Sequence, residues 1–542
     1  MFHIVIFSFI LVALAITLQI LGQTFRHPLS RFPGPLLAKW TVFYRAYYDL
    51  CKIGGWLKHL EVLHAVYGPI VRVGPNELHF NDPRAYGEIY APGSRFHKDP
   101  ALYSPFGAAT TVFTTHDPHD AAVMRNIFAT FFSRRSVIRR EAAIRDKIVE
   151  FISRLKSFNL ESGTAANLDN AFPSMALDVL TALMFSQPFN MLSSPAFDHP
   201  FVRRRKPPTL NLWTMKYLPS RNAPILGALS RFMRSMNPTA ALIMAQAEII
   251  KDEITSTLNR FDLNDVRDRI ENINEFSAAA APESDETDIP FYPFFLEKIQ
   301  EPTRKQASST EKTNRLNLLN LRRLIDEGIN IRFAGTDTIA NACLVGVKYL
   351  LTHKDILARL VAELDEAWPA NGEISYEELE KLPYLTAVIK ESLRLSHGVV
   401  SPMGRVVGPG DAVIMGEAIP AGTTIGISAT FVHLNPELFP EPTTFSPERW
   451  LKSSSSVDEK KDFSSEVNSD KYLVSFSRGP RSCVGIHLAR FELYMLFGFL
   501  FRKLELTPTA EQDPNSSLYF DDFFTPLYTD DPLCVFTKER VG

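Results

Sequence analysis

Cysteine is scarce in this chain, four residues in 542, and none falls in a paired spacing. That argues against a disulfide framework and against a zinc cluster, both of which need thiols in sets. An excess of charge of either sign is missing too. The net charge is -3 and the pI is near 6.5, which leaves no basic surface of the kind that holds nucleic acid. No glycine-rich nucleotide fingerprint is present and no internal repeat is evident,. A length of 542 residues suggests roughly three or four average domains,, but the composition gives no place to cut them. With 45% apolar residues and 40 phenylalanines, one large unit around a single core is the simpler reading.

What is present begins with an apolar run. Residues 2–21 are interrupted only by His3, Ser8, Thr17 and Gln19 and are about long enough to cross a bilayer as one helix. A cleaved signal peptide is the alternative. It lacks a charged segment ahead of the run, and Thr24-Phe25-Arg26 supplies no small-residue cleavage site,. Arg26, Arg31 and Lys39 follow the run, which puts the C-terminal part in the cytosol,. Phe32-Pro33-Gly34-Pro35 is a stiff turn that cannot continue a helix,. The expected organisation is an anchor over 1–22, a proline-rich hinge over 23–40 and one catalytic unit over 41–542.

Far downstream, Phe476-Ser477-Arg478-Gly479-Pro480-Arg481-Ser482-Cys483-Val484-Gly485 frames one cysteine with two glycines and an arginine. The run Ile486 to Phe497 has helical periodicity, so Cys483 lies at or just before a helix N-terminus, where backbone N–H groups lower a thiol's pKa. Gly479 and Gly485 are expected to supply turn conformations and close backbone approach to a flat ligand. One thiolate with no second metal-binding cysteine nearby suits a single axial bond to an iron already held by a macrocycle. Cys51, Cys343 and Cys534 lack such framing and read as packing residues.

These residues carry a resemblance: F-x-x-G-x-R-x-C-x-G is similar to the haem-binding signature of the cytochrome P-450 superfamily. The resemblance implies a mainly α fold with a minor β region, the cytochrome P-450 fold. It also implies haem b bound through the Cys483 thiolate, which pushes electron density onto the iron and favours O–O cleavage. Phe476, Gly479, Arg481 and Gly485 belong to the same haem-binding motif. Arg125, ahead of Phe131-Phe132-Ser133, resembles the arginine that pairs with a haem propionate. The tryptophan or histidine expected one turn earlier is Ala121, with His119 displaced by two residues. Ser401-Pro402-Met403-Gly404-Arg405 is similar to the strand whose arginine reaches a propionate, and Ile419 to Ile425 to the hairpin that follows. Val399, Val400 and Met403 are expected to face the substrate.

Leu316 to Leu351 is the longest helical pattern and holds Ala334-Gly335-Thr336-Asp337-Thr338. A hydroxyl in a helix commonly bonds the carbonyl one turn back. The family's A/G-G-x-D/E-T element implies more: Thr338 orients dioxygen and a water, and Asp337 relays protons from solvent. Glu391 and Arg394, three apart, share a helix face and resemble the family's E-x-x-R pair. Arg449 in Pro447-Glu448-Arg449-Trp450 matches the third member of that network, whose role is to fix the cysteine loop.

Arg134, Arg135, Arg139 and Arg140 form a basic run that is a solvated face or a docking patch for an acidic electron donor,. Residues 200–229 combine basic residues with Trp213 and Tyr217, read as exposed aromatics that could rest on a membrane. Segment 277–315 reads as polar surface loops around a short apolar piece, Phe291 to Ile299, and 453–470 as a second polar loop. Two alternating runs between Val66 and Phe80 read as a hairpin, and the pattern turns helical after Asp117.

The anchor, the arginine helix, the A-G-T-D-T element, E-x-x-R, P-E-R-W and the cysteine loop occur in family order. Together they imply an endoplasmic-reticulum monooxygenase of microsomal type. It takes electrons from NADPH through a separate NADPH–cytochrome P-450 reductase, with cytochrome b5 as an optional second donor. Its substrates are dioxygen and an apolar small molecule. A haem-thiolate isomerase or dehydratase using no dioxygen is an alternative, but such members often lose the residues that stand here as Asp337 and Thr338. A haem-binding sensor without turnover is another, and it gives no reason for a proton relay beside a membrane anchor. The segments Pro447 to Leu451 and Phe431 to Pro436 resemble fungal secondary-metabolism members such as trichodiene-oxygenase-like enzymes. That points to a terpenoid or polyketide skeleton, with sterols, fatty acids and xenobiotics remaining open.

Overall fold

The structure is a computed structural model. It describes residues 7, 22–94, 96–106, 111–185, 188–199, 202, 213, 216–217, 238–260, 289–304, 310–369, 372–451, 469–509 and 518–540.

A central helix, Thr310–Thr352, organises the fold. It packs against helices Leu168–Met184, Pro238–Arg260, Pro383–Ser396 and Ile486–Lys503. Their shared core includes Phe128, Phe172, Leu180, Cys343 and Phe497. Ile486–Lys503 is buried along most of its length, as expected of a helix apolar nearly all round.

The arginine helix runs over Pro118–Phe131. Asp117 caps it by accepting His119 N–H at 2.8 Å and Asp120 N–H at 3.0 Å, and Pro118 takes the first helical position, where a missing N–H does no harm.

Sheet content is minor. The largest sheet orders its strands Ile70–Gly74, Glu77–Phe80, Thr424–Gly426, Arg405–Val406 and His97–Lys98. The first two form the expected hairpin. The hairpin expected over Ile419 to Ile425 is not formed. Glu417–Ile419 instead pairs with Ala412–Ile414, while Thr424–Gly426 pairs with Arg405–Val406 and Glu77–Phe80. Gly422, at φ +81°, turns the chain from one sheet to the other, a conformation glycine adopts without penalty. Lys98 lies directly opposite Arg405 across the edge pair.

Other expectations are corrected. Trp213 is wholly buried, donating Nε1–H to Asp522 C=O at 2.9 Å. Tyr217 bonds Asp49, so these two are not exposed membrane-facing aromatics. Thr310–Lys312, expected in a loop, already belongs to the central helix, and Phe291–Arg304 is a helix. Val400 is buried among Trp56, Leu57 and Val71. Cys51 is exposed and so is not a packing residue, whereas Cys343 is buried.

The proline-rich stretch is docked rather than free. Leu29 and Phe32 are buried with Leu78 and Phe80, and Pro33 C=O accepts Arg72 N–H at 2.7 Å. Among the described residues no helix is long and apolar enough to cross a membrane. The expected anchor, apart from Phe7 and Gly22, lies outside the described residues, as do 277–288 and 453–468.

Candidate active site

One cavity gathers the residues picked out by the sequence. Cys483, Arg125, Arg405, Arg481, Phe476, Gly485 and Thr338 all line it, whereas Gly479 and Asp337 do not. Val399 and Met403 line it as expected; Val400 does not. Most of the remaining wall is apolar, including Val112, Phe113, Phe128, Phe132, Leu180, Phe333 and Ile339.

The cysteine loop is held by its own backbone and by a glycine. Cys483 N–H donates to Phe476 C=O at 2.8 Å. Gly479 sits at φ +67°, and a Cβ there would fall 2.5 Å from Tyr90 O and 2.6 Å from Ala91 O. A side chain at that position therefore has no room. Gly485 differs from expectation. Its φ is -86°, and it serves as the residue before the helix Ile486–Lys503. The Cys483 side chain is exposed to the cavity. Burial within the surrounding protein pushes the thiol's pKa up, against opposing contributions from the Gly485 backbone hydrogen bond and the Arg125 guanidinium. The helix terminus thus favours the thiolate, as expected, but is outweighed by desolvation until a cation bonds the sulfur.

Around the cavity four cations converge. Arg125 donates to Ser482, to the carbonyl and, at 3.0 Å, to Oγ. Arg481 donates to His116 C=O at 3.1 Å and Asp117 C=O at 3.0 Å. Arg405, almost wholly buried, donates to Tyr103 Oη at 3.1 Å. Lys98, absent from the sequence expectations, is equally buried and donates Nζ–H to Phe113 C=O. Its ammonium stands 4.3 Å from the Tyr103 ring centroid and 4.5 Å from that of Phe113. Burial, then Arg405, Arg481 and Arg125, push its pKa well below the lysine value. Burial, then Arg405 and Arg125, bring Arg481 down to about 10.

Like charges directly opposite on a strand pair are destabilising, so Lys98 and Arg405 side by side call for an anion between them. Two carboxylates entering the cavity would satisfy all four cations, since each guanidinium retains spare donors. The donor set therefore fits haem, with propionates on the cations and the iron on Cys483 Sγ. His119 takes no part: its side chain is exposed, beside Asp120. Ala121 is buried and lines the cavity. Lys98 brings a cation into the same cavity from the sheet, and the signal for it in the sequence was a lysine ending a short run, His97-Lys98, with no helical motif to flag it.

On the central helix Thr338 Oγ1 donates to Ala334 C=O at 2.7 Å, the one-turn bond anticipated for a helical hydroxyl. Thr336 does the same with Arg332 C=O. Asp337 is half-buried and acts electrostatically on Arg332. Gly335 lets the helix approach Leu180, whose Cδ2 would lie 3.1 Å from a Cβ there.

Behind the cysteine loop, Glu391 and Arg394 are both wholly buried. Arg394 donates Nε–H to Glu391 Oε2 at 2.9 Å and Nη2–H to Oε1 at 2.7 Å. It also reaches the carbonyls of His433, Pro442 and Thr444. Arg449 Nε–H reaches Glu391 Oε1 at 3.0 Å. Trp450 Nε1–H and Ser446 N–H, neither foreseen, complete the carboxylate's shell at 2.8 and 2.9 Å. The link to the cysteine loop is also unforeseen: His433 Nε2 accepts Val474 N–H at 2.9 Å, and Ser475 Oγ–H donates to Leu393 C=O at 2.8 Å.

The basic run is partly neutralised. Arg134 pairs with Glu380 at 2.6 Å and Glu377 at 3.8 Å. Arg140 turns onto Ser136 and the Phe131 ring, leaving Arg135 and Arg139 exposed.

Comparison with known proteins agrees with this geometry. The sequence profile described as Cytochrome P450 matches residues 47–529. The chain is 31% identical over 524 residues to the Cytochrome P450 monooxygenase macH of Penicillium terrestre, covering 95% of this chain and 94% of that one. It is 31% identical over 493 residues to the Cytochrome P450 monooxygenase TRI4 of Fusarium sporotrichioides, covering 90% and 86%. To the Tryptophan 6-hydroxylase fscE of Fusarium equiseti it is 30% identical over 504 residues, covering 92% and 90%.

Proposed function

The chain belongs to the cytochrome P450 family, and from that premise we propose that it is a haem-thiolate monooxygenase of fungal secondary metabolism. It inserts one atom of dioxygen into an apolar terpenoid or polyketide intermediate. The observation that carries this reading is one apolar cavity that joins the Cys483 thiol, four cations that make no ion pair among the described residues, and Thr338.

Haem, when bound, supplies the iron chemistry that activates dioxygen. The chain's own residues do the rest. Cys483 Sγ would bond the haem iron, and Arg125, Arg405, Arg481 and Lys98 would hold the propionates,. Phe476 packs beside the loop, while Gly479 and Gly485 shape it. Glu391, Arg394 and Arg449 hold the loop's foundation and touch no reacting atom. Phe113, Phe128 and Phe333 keep water from the substrate face. Thr338 is bonded to Ala334 C=O and presents its hydroxyl oxygen as an acceptor, able to hold a water in the cavity. Asp337 passes protons from solvent to that water.

Electrons come from NADPH through a reductase, because the chain lacks a nucleotide fingerprint of its own,. Arg135 and Arg139 offer that partner a positive contact. Residues 1–22 anchor the enzyme in the endoplasmic reticulum membrane, 23–40 lead from it, and 41–542 form the catalytic unit facing the cytosol. Deleting the gene in its own organism tests the reading. An accumulating compound that lacks one oxygen relative to a vanished product supports it; an accumulating isomer of the vanished product would favour the isomerase alternative.

A further inference from the structure

The central helix carries an acidic group that this chemistry does not use. Glu327 is wholly buried and lines the cavity, eleven residues before Thr338. At 3.6 residues per turn that is three turns, so both side chains lie on one helix face, roughly 16 Å apart along the axis. Asn330, Ile331, Ala334 and Gly335 continue the stripe between them along the cavity wall.

Glu327 Oε1 accepts Val112 N–H at 2.8 Å. Its Oε2 is buried without a hydrogen-bond partner, a situation that costs stability unless something else satisfies it. The charged and titratable groups around it are Arg323 and Asp326 on its own helix and Tyr292 from Phe291–Arg304. Burial, opposed by the Val112 N–H and by Arg323, raises the carboxyl to about 8. At neutral pH it is therefore mostly the uncharged acid, which can donate as well as accept. Its neighbours along the cavity wall, Val112, Phe113, Ile331 and Phe333, have apolar side chains, and the Tyr292 hydroxyl makes no hydrogen bond to it. Asn330 is already engaged with Thr111 Oγ1 at 2.9 Å through its amide N–H.

We propose that Glu327 is a specificity-determining residue: its unpartnered carboxyl oxygen hydrogen-bonds a carbonyl or hydroxyl oxygen on an otherwise apolar substrate and so sets which carbon lies against Thr338. The inference rests on the monooxygenase reading for the identity of the reacting end. It adds that the substrate already carries one oxygen function, remote from the carbon to be oxidised. An earlier oxygenation, or a carbonyl retained from chain assembly, must therefore supply it.

The test uses the full haem-loaded chain and two probe pairs, androstane with its ring-D ketone and hexadecane with its methyl ketone. Binding is read by thermal shift and by the Soret difference spectrum. In the wild type the ketone of at least one pair is expected to bind about tenfold more tightly than its hydrocarbon, the worth of one net hydrogen bond. Glu327→Gln, whose amide still donates, keeps that preference; Glu327→Leu abolishes it without weakening the hydrocarbon. Ketone preference absent from the wild type, or surviving in Glu327→Leu, overturns the proposal. A second readout avoids the leucine variant: ketone binding should shift a protonated-carboxyl stretch in the infrared difference spectrum of the wild type, and no such shift should occur in Glu327→Gln. A wild-type spectrum without it counts equally against the assignment. The carbon monoxide spectrum of the same samples reports the haem reading separately, and the thermal shift reads the ketone preference whether or not that spectrum is as expected.

Discussion

Lys98→Met should move the apoprotein and the haem-loaded protein in opposite directions. Lys98 and Arg405 are 5% and 4% exposed and stand directly opposite in register. The charges acting on Lys98 are three guanidiniums. Without haem the ammonium is a buried charge lacking an anion. Methionine keeps most of the apolar stem and removes that charge, which should stabilise the apoprotein by about 1–3 kcal/mol, as replacing buried ions by apolar groups often does. The pH dependence has a definite sign. A lysine depressed in the folded state binds fewer protons there than in the unfolded chain, so apoprotein stability rises with pH towards the ordinary lysine value of 10.5,. Lys98→Met should flatten that rise. In the haem-loaded protein the same change removes a charge-assisted bond to a propionate, at about 1.5–3 kcal/mol, or roughly 10- to 100-fold faster haem loss. Urea denaturation of the apoprotein between neutral and alkaline pH, and haem transfer to an apoglobin acceptor, measure the two halves. An apoprotein destabilised by the change, together with unaltered haem loss, would refute the reasoning. Lys98 would then be a cation satisfied by Phe113 C=O and two aromatic rings.

Arg394→Leu leaves Glu391 buried with three of its five hydrogen bonds and takes the guanidinium from the carbonyls of His433 and Pro442, while Thr444 C=O keeps Arg449. Breaking a buried pair costs about 3–5 kcal/mol, so little haem-containing protein should be recovered, whereas Arg359→Ala, at an exposed pair with Glu448, should cost under about 1 kcal/mol. Thr338→Ala should leave NADPH oxidation in the reconstituted system nearly intact while product per NADPH falls several-fold; unchanged coupling would remove Thr338 from proton handling. Glu492 is buried with Oε2 unpartnered, and burial raises its pKa well above the usual 4.5. The folded state thus holds a proton that the unfolded state releases, and stability is lost as pH rises from about 4.5 through the folded value. Glu492→Gln should remove that decline in a denaturation series against pH.

Motifs that act through local spacing were readable from residues alone. Cys483 with Gly479, the Glu391–Arg394 pair and the Thr338 stripe each fall within one loop or helix, so chain distance reports spatial distance. Groups assembled across elements were not. Lys98 reaches the cavity through a sheet register that joins His97–Lys98 to Arg405–Val406, more than three hundred residues away. Trp450 and Ser446 complete Glu391 from another segment, and His433 is the joint between that network and Val474. The misreading of Ile419 to Ile425 has a related cause. Alternating strands around a Pro-Ala-Gly turn look like a hairpin, yet each strand finds a better-matched partner elsewhere. Trp213 was misjudged because neighbouring basic residues suggested a surface, while its indole N–H had a buried acceptor far along the chain.

Reducing the purified haem-loaded protein under carbon monoxide, beside Cys483→Ser, asks directly whether a thiolate from this loop holds the iron. The wild type should show the red-shifted Soret band of a thiolate-ligated carbonyl complex, and the serine variant should lose it. An unshifted band in the wild type, or a shifted band that survives in Cys483→Ser, would contradict the assignment of Cys483 as the axial ligand.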